Sequence, residues 1–168
     1  MNLYLLRHGL AEDLDSAGLA HDAERRLTDK GERKLRQIAQ AMKTLDLRFD
    51  AILSSPYVRA RQTAEIIAAV LHERKRIEFS DHLVPSGNAK KLIELLNRFD
   101  PPLNEMLLVG HEPHLSELIS LLVSGKPGFT VVMKKGGLCK LAVESLHYGR
   151  CAVMEWLLPP GITALIRS

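Results

Sequence analysis

Short apolar runs that end in polar residues alternate along this chain with longer stretches of helical period, and nothing else in it constrains the fold as strongly. Strands buried on both faces read as continuous apolar runs, and parallel neighbours need long, usually helical crossovers. The alternation predicts an α/β fold: a mainly parallel central sheet flanked by helices on both faces. Leu3 to Arg7 reads as the first strand. Thr28 or Asp29 caps a helix whose stripe is Leu35, Ile38, Ala39, Met42 and Leu45. Ala51 to Ser54 is the second strand. Ser55-Pro56 then reads as a cap and a first helical proline, opening a helix with Ala60, Ala64, Ile67, Ala68 and Leu71 inward. Asn88 starts a helix with Leu92, Leu95, Leu96 and Phe99 facing the core, which Pro101-Pro102 stops. Met106 to Val109 is a third strand, and Pro113 opens a helix with Leu115, Leu118, Ile119 and Leu122 on one face. Leu138 to Val143 and Cys151 to Leu158 alternate as an antiparallel pair.

With 168 residues, 46% of them apolar, and no low-complexity tract, the chain is expected to form a single domain over residues 1–168 around one core. Its net charge is +3, and the basic runs Arg74-Lys75-Arg76 and Lys134-Lys135 are too short for a phosphate-backbone footprint, so nucleic acid is not the expected partner. The run Leu3-Tyr4-Leu5-Leu6 is broken by Arg7, too early for a signal-peptide core, and no later run reaches membrane-spanning length. A soluble, cytoplasmic protein without a membrane partner is expected. Cys139 and Cys151 flank the last hairpin and could approach each other, but two thiols in such a chain read more simply as ordinary residues in a reducing compartment.

In open α/β sheets, ligands bind at the carboxyl ends of the strands, where loops and helix N-termini converge. Three such ends carry unusual residues here: Arg7-His8-Gly9, Ser54-Ser55-Pro56-Tyr57-Val58-Arg59 and Gly110-His111-Glu112-Pro113. Each segment alone is commonplace. Together they bring two imidazoles and two guanidiniums to neighbouring strand ends without a matching set of carboxylates, and such groups repel unless an anion sits among them.

At these residues the sequence resembles the histidine phosphatase superfamily, also called phosphoglycerate mutase-like. The resemblance runs through Leu5-Leu6-Arg7-His8-Gly9, Leu27-Thr28 with Gly31, Ser54-Ser55-Pro56 through Arg59-Ala60-Arg61-Gln62-Thr63, and Val109-Gly110-His111. It implies that His8 is the phosphorylated nucleophile and that Arg7, Arg59 and His111 are catalytic residues binding the phosphoryl group, with no metal and no cofactor. The opening Leu-Arg-His-Gly-Leu-Ala-Glu and the short length look most like the compact phosphohistidine phosphatases of the SixA type, which implies a phosphohistidine-bearing protein as substrate.

Surrounding cations keep an attacking imidazole neutral and stabilise charge on a transferring phosphoryl group. A general acid is harder to find. The loop Asp81-His82-Leu83-Val84-Pro85-Ser86-Gly87 has no obvious glutamate; Asp81 and Glu12 are candidates, each readable as a surface carboxylate. A labile P–N bond needs less acid assistance, which favours phosphohistidine over alkyl phosphates. The alternatives are a phosphatase for sugar or nucleotide monoesters, and a non-catalytic module that binds phosphorylated partners. A metal site at His111-Glu112-Pro113-His114 is disfavoured, because paired helical ligands need histidines four apart; His114 is expected to be an exposed helix residue. His21, His72, His82 and His147 belong to no constellation, and Trp156 reads as sheet packing.

Overall fold

Leu3, Tyr4, Leu5 and Leu6 are all buried because both faces of their strand, β1 (Asn2–Arg7), are covered. Side chains alternate across a strand, so Leu3 and Leu5 enter one apolar core while Tyr4 and Leu6 enter the other. The computed structural model describes residues 1–13, 19–72 and 77–166. Its other elements are α1 (Asp29–Thr44), β2 (Ala51–Ser54), α2 (Val58–Leu71), β3 (Ile77–Phe79), α3 (Ala89–Leu96), β4 (Glu105–Gly110), α4 (His114–Ser124), β5 (Leu138–Val143), β6 (Ala152–Leu158) and α5 (Pro160–Thr163). Short 3-10 turns cover Leu19–Glu24 and Asp81–Leu83.

One six-stranded sheet runs β3-β2-β4-β1-β5-β6. The pairings β3 with β2, β2 with β4 and β4 with β1 are parallel, while β5 and β6 add antiparallel strands beyond β1. Helices α1 and α2 supply Leu35, Ile38, Ala60 and Ala64 to the core that holds Tyr4 and Leu6. Helices α3 and α4 cover the opposite face through Leu92, Ile93, Leu115 and Leu118. The expected α/β architecture, mainly parallel and covered on both faces, is the observed one. Burying one such leucine contributes about 1.5–3 kcal/mol, so the sheet is well able to hold strand-end loops in fixed positions.

Several local expectations are corrected. Thr28 does cap α1, accepting from the Gly31 N–H at 3.1 Å, but Leu45 lies at the helix's C-cap and is exposed. Ser55-Pro56 does not open α2: the helix begins at Val58, because Ser55 remains tied to the sheet through its N–H to the Val109 carbonyl at 2.9 Å. Phe99 lies beyond the end of α3, although it packs against the core as expected. Strand β3 was not anticipated. It is three residues long, at the sheet edge, with Glu78 and Phe79 exposed, so it has neither the length nor the burial to print a period. Register places Cys139 opposite Leu157, so Cys139 and Cys151 stand toward opposite ends of the hairpin, and both are free thiols. Trp156 packs on Tyr4, ring centroids 6.0 Å apart. The run Arg74-Lys75-Arg76 lies outside the described residues. No helix among the described residues is long and apolar enough to cross a membrane.

Candidate active site

Parallel strands deliver their C-terminal loops to one edge of a sheet, and here backbone bonds lock three loops together. The His8 N–H donates to the Gly110 carbonyl at 3.0 Å and the Ser55 N–H to Val109. From the far side, the segment before β5 folds onto the loop that carries His8: the Gly136 N–H lies 3.0 and 3.1 Å from the Arg7 and His8 carbonyls. Gly136 adopts φ +80°, a conformation that glycine reaches without strain. Gly31 admits another close approach, since a Cβ there would stand 2.1 Å from the Leu10 carbonyl oxygen. The first turn of α1 can therefore press against the loop that follows His8.

His8, Arg59 and His111 are 5%, 4% and 1% exposed, so charge here is felt in a poorly solvated setting. The His8 Nδ1 lies 2.7 Å from the Gly9 carbonyl, which can only accept, so Nδ1 carries the proton. Nε2 is then left with its lone pair, and Arg59 Nε donates to it at 3.3 Å. Burial first, then the charges of Arg59, Arg7 and Lys135, lower the His8 pKa to about 3, against the Gly9 hydrogen bond that favours protonation. His111, with its ring centroid 4.9 Å from that of His8, is lowered to about 2 by burial and then by His8 and Arg59. Both rings are neutral bases at physiological pH.

The remaining contacts hold these groups in place. His111 Nε2 sits 2.8 Å from Ser55 Oγ, while its Nδ1 is buried with no hydrogen-bond partner among the described residues. Arg7 donates through Nη1 to the Met133 carbonyl at 2.7 Å, and its Nε is likewise buried and unpaired. Tyr57 packs edge-on against His111 and carries the Arg59 guanidinium on its ring face. Thr63 Oγ accepts the Gly9 N–H at 3.1 Å and donates to the Arg59 carbonyl at 2.7 Å, coupling the His8 loop to α2.

The structure thus brings Arg7, His8, Arg59 and His111 to one place, and it also supplies carboxylates that the sequence reading missed. Asp22, on the 3-10 turn before α1, accepts from Arg59 Nη2 at 3.0 Å and from Arg25 Nη1 at 2.8 Å. Burial opposes its ionisation, yet these hydrogen bonds and charges hold its pKa below the usual value. The Glu112 charge acts on Arg7, whose own pKa burial lowers. A cation cluster without matching carboxylates is therefore not what forms; an acid within a polar loop finds its partner only when the loop folds over the site. The one legible signal was Asp22 three residues before Arg25, which makes a local ion pair.

Neither candidate general acid makes a side-chain hydrogen bond or salt bridge to Arg7, His8, Arg59 or His111 among the described residues. Asp81 is exposed on its 3-10 turn, and Glu12 is exposed with Oε2 accepting the Arg26 N–H at 3.2 Å. His114 is the clearest correction: it is 2% exposed rather than solvent-facing, because the first turn of α4 packs beneath the loop at residues 82–87. Among the described residues no three His, Cys, Asp or Glu side chains converge as a metal site.

Comparison with known proteins identifies a family and a fold. Residues 3–84 match the family model for the histidine phosphatase superfamily (branch 1). An uncharacterized protein of Picosynechococcus is 38% identical over 148 residues, 84% of either chain. A phosphohistidine phosphatase SixA homolog of Haemophilus influenzae is 31% identical over 130 residues, 73% of this chain and 77% of the relative. The solved structure of the protein histidine phosphatase SixA complexed with tungstate superposes with a TM-score of 0.80 at 23% identity, covering 96% of this chain and 98% of that one, which establishes the shared fold.

Proposed function

The chain belongs to the histidine phosphatase superfamily, and from that membership we propose that it is a phosphatase that uses His8 as nucleophile, passes through a phosphohistidine enzyme, and acts on a phosphohistidine-bearing protein. The observation that carries the proposal is the His8 ring itself. Its Nδ1 proton is spent on the Gly9 carbonyl, so the Nε2 lone pair faces the cation cluster, and the ring stays neutral. A pure binding pocket needs the cations but not this arrangement.

In the first step, Nε2 attacks phosphorus while the bond to the leaving nitrogen breaks and its electron pair stays on the departing imidazole, which leaves as a neutral ring because its other nitrogen already carries a proton. Arg7, Arg59 and His111 hold the phosphoryl oxygens, and their charges and dipoles stabilise the negative charge as it shifts. Ser55 Oγ accepts the Tyr57 N–H at 3.3 Å, so its own proton is free to go to His111 Nε2. That leaves His111 Nδ1–H and Arg7 Nε–H, both buried without a partner among the described residues, as donors to the oxyanion. Water then attacks phosphorus and releases its proton to solvent, and the P–N electron pair returns to His8 Nε2. Arginine forks and a neutral base meet the demands of such a transfer by positioning and electrostatics, and we assign it no metal and no cofactor. The two free cysteines fit a reducing, cytoplasmic setting.

Rapid alkaline quenching during turnover of a slow aryl phosphate tests this directly. The chain should carry an acid-labile phosphate that maps to the N-terminal peptide containing His8, and His8→Ala should abolish label and turnover together. Turnover by that variant refutes the nucleophile assignment. Comparing kcat/KM on a phosphohistidine protein with that on sugar and nucleotide monoesters tests the substrate: a preference for the esters would remove the protein from the proposal.

A further inference from the structure

Next to the nucleophile loop lies a cleft of about 310 Å³ whose lining includes Gly9 and Leu10 at one end and the lysines Lys30, Lys34, Lys134 and Lys135. We propose that this cleft docks an acidic segment of the phosphoprotein substrate, beside the phosphorylated residue held at His8. The inference rests on the function proposed above and gives it a substrate class.

Three observations carry it. First, among the described residues the cleft is lined by four lysines and by no acidic side chain, and none of the four forms a salt bridge with a described residue. Lys30 and Lys34 stand one turn apart on the same face of α1, a mildly destabilising like-charge spacing. The same helix pairs Glu32 with Arg36 at 3.3 Å on a neighbouring stripe, so ion pairing is available to α1 but not used at the cleft. Second, the cleft is continuous with the catalytic loop. The Gly136 N–H is bonded to the Arg7 and His8 carbonyls, so Lys135 rides on the segment that packs against the nucleophile. Its charge acts on His8, and Lys135 is itself held below its usual pKa by burial and then by Arg7 and Arg25, with Asp13 acting in the opposite sense.

Third, the chemistry of the lining selects the occupant. A discrete small anion is best held by arginine forks or backbone amides. Here the charges are lysine ammoniums at the end of flexible stems, and the Gly31 N–H is already taken by Thr28. Lys30, Lys34 and Lys134 are exposed, and Leu35 and Ile38 form an apolar floor. Diffuse point charges over an apolar base match glutamate and aspartate side chains spaced along a protein segment. They steer and orient such a partner more than they grip it.

Fluorescence anisotropy on the intact chain tests the proposal. Three labelled peptides are compared: a hydrolysis-resistant phosphohistidine analogue flanked by glutamates, the same analogue flanked by glutamines, and plain histidine flanked by glutamates. The glutamate-flanked analogue should bind about ten-fold tighter than the glutamine-flanked one at low ionic strength, with the preference shrinking as salt is added. Lys30→Gln/Lys34→Gln should reduce that preference to near two-fold without lowering the urea unfolding midpoint. Equal binding of the two analogue peptides by the wild type, or an undiminished preference in the variant, overturns the docking site, as does failure to bind the acidic peptides at all. Inorganic tripolyphosphate that outcompetes the acidic peptide at equal charge, in a lysine-dependent manner, would make the cleft a small-anion site and also overturn it. If the two glutamate-flanked peptides bind alike and both depend on the lysines, the cleft stands and the phosphohistidine reading falls.

Discussion

Two imidazoles kept neutral by burial should make this protein lose stability on mild acidification. His8 and His111 have folded-state pKa values of about 3 and about 2 against an ordinary 6.5. The unfolded chain therefore takes up protons on these residues as pH falls through 6.5, while the native state does not until far lower. Stability is unaffected well above 6.5 and is lost progressively as pH falls from 6.5 toward the folded-state values. At about pH 5.5 each residue is one unit below its unfolded pKa, and the penalty is about 1.4 kcal/mol, whatever the exact folded value. The pair together should cost about 3 kcal/mol between about pH 7.5 and about pH 5.5, a large part of a typical domain's stability. Urea unfolding in phosphate-free buffer at both pH values measures it, and His8→Asn/His111→Asn isolates it: the double variant should lose about 3 kcal/mol less than wild type over that interval. Saturating phosphate should shrink the wild-type loss, because a bound dianion favours the protonated rings. Equal pH dependence in wild type and double variant, or a His8 proton resonance in the apo protein that titrates near 6.5, would refute the assignment of neutral bases.

Three further outcomes follow from the site. Arg59→Ala should lower kcat by about 10²-fold, and Arg59→Lys should rescue only part of it, since an ammonium lacks the fork; single-turnover kinetics on an aryl phosphate would show this. Asp22→Asn should tighten product inhibition by inorganic phosphate about 3- to 10-fold, because Asp22 occupies Arg59 nitrogens that a phosphoryl oxygen must take over; an unchanged inhibition constant would separate the carboxylate from the site. Incubation with a strong chelator should leave turnover unchanged, and restoration of lost activity by a divalent ion would replace the arginine mechanism with a metal one.

Sequence pattern exposed some features of this molecule and hid others for physical reasons. Leu3 to Leu6 announced a strand because burial on both faces leaves no polar position, and the same holds for Met106 to Val109. The strand-end residues were legible because each sits immediately after such a run, and register brings Arg7 opposite Gly110 and Ser54 opposite Val109. The burial of His114 was also within reach: it stands four residues before Leu118 on the inward stripe of α4, but its polarity was weighed above its position. Asp22 is different. A loop carboxylate has no period to betray which cation it will meet, and its partner is fixed only when the 3-10 turn closes over α2. Charge balance nonetheless demanded something like it. Arg59 is 4% exposed with the half-buried Arg7 near it, and leaving a buried guanidinium without a counter-charge costs several kcal/mol on general grounds. A cluster of cations that must bind and release an anion therefore implies a weaker anion of the protein's own. Asp22 meets that requirement because it is 27% exposed and can exchange its hydrogen bond to Arg59 for one to water as the phosphoryl group arrives.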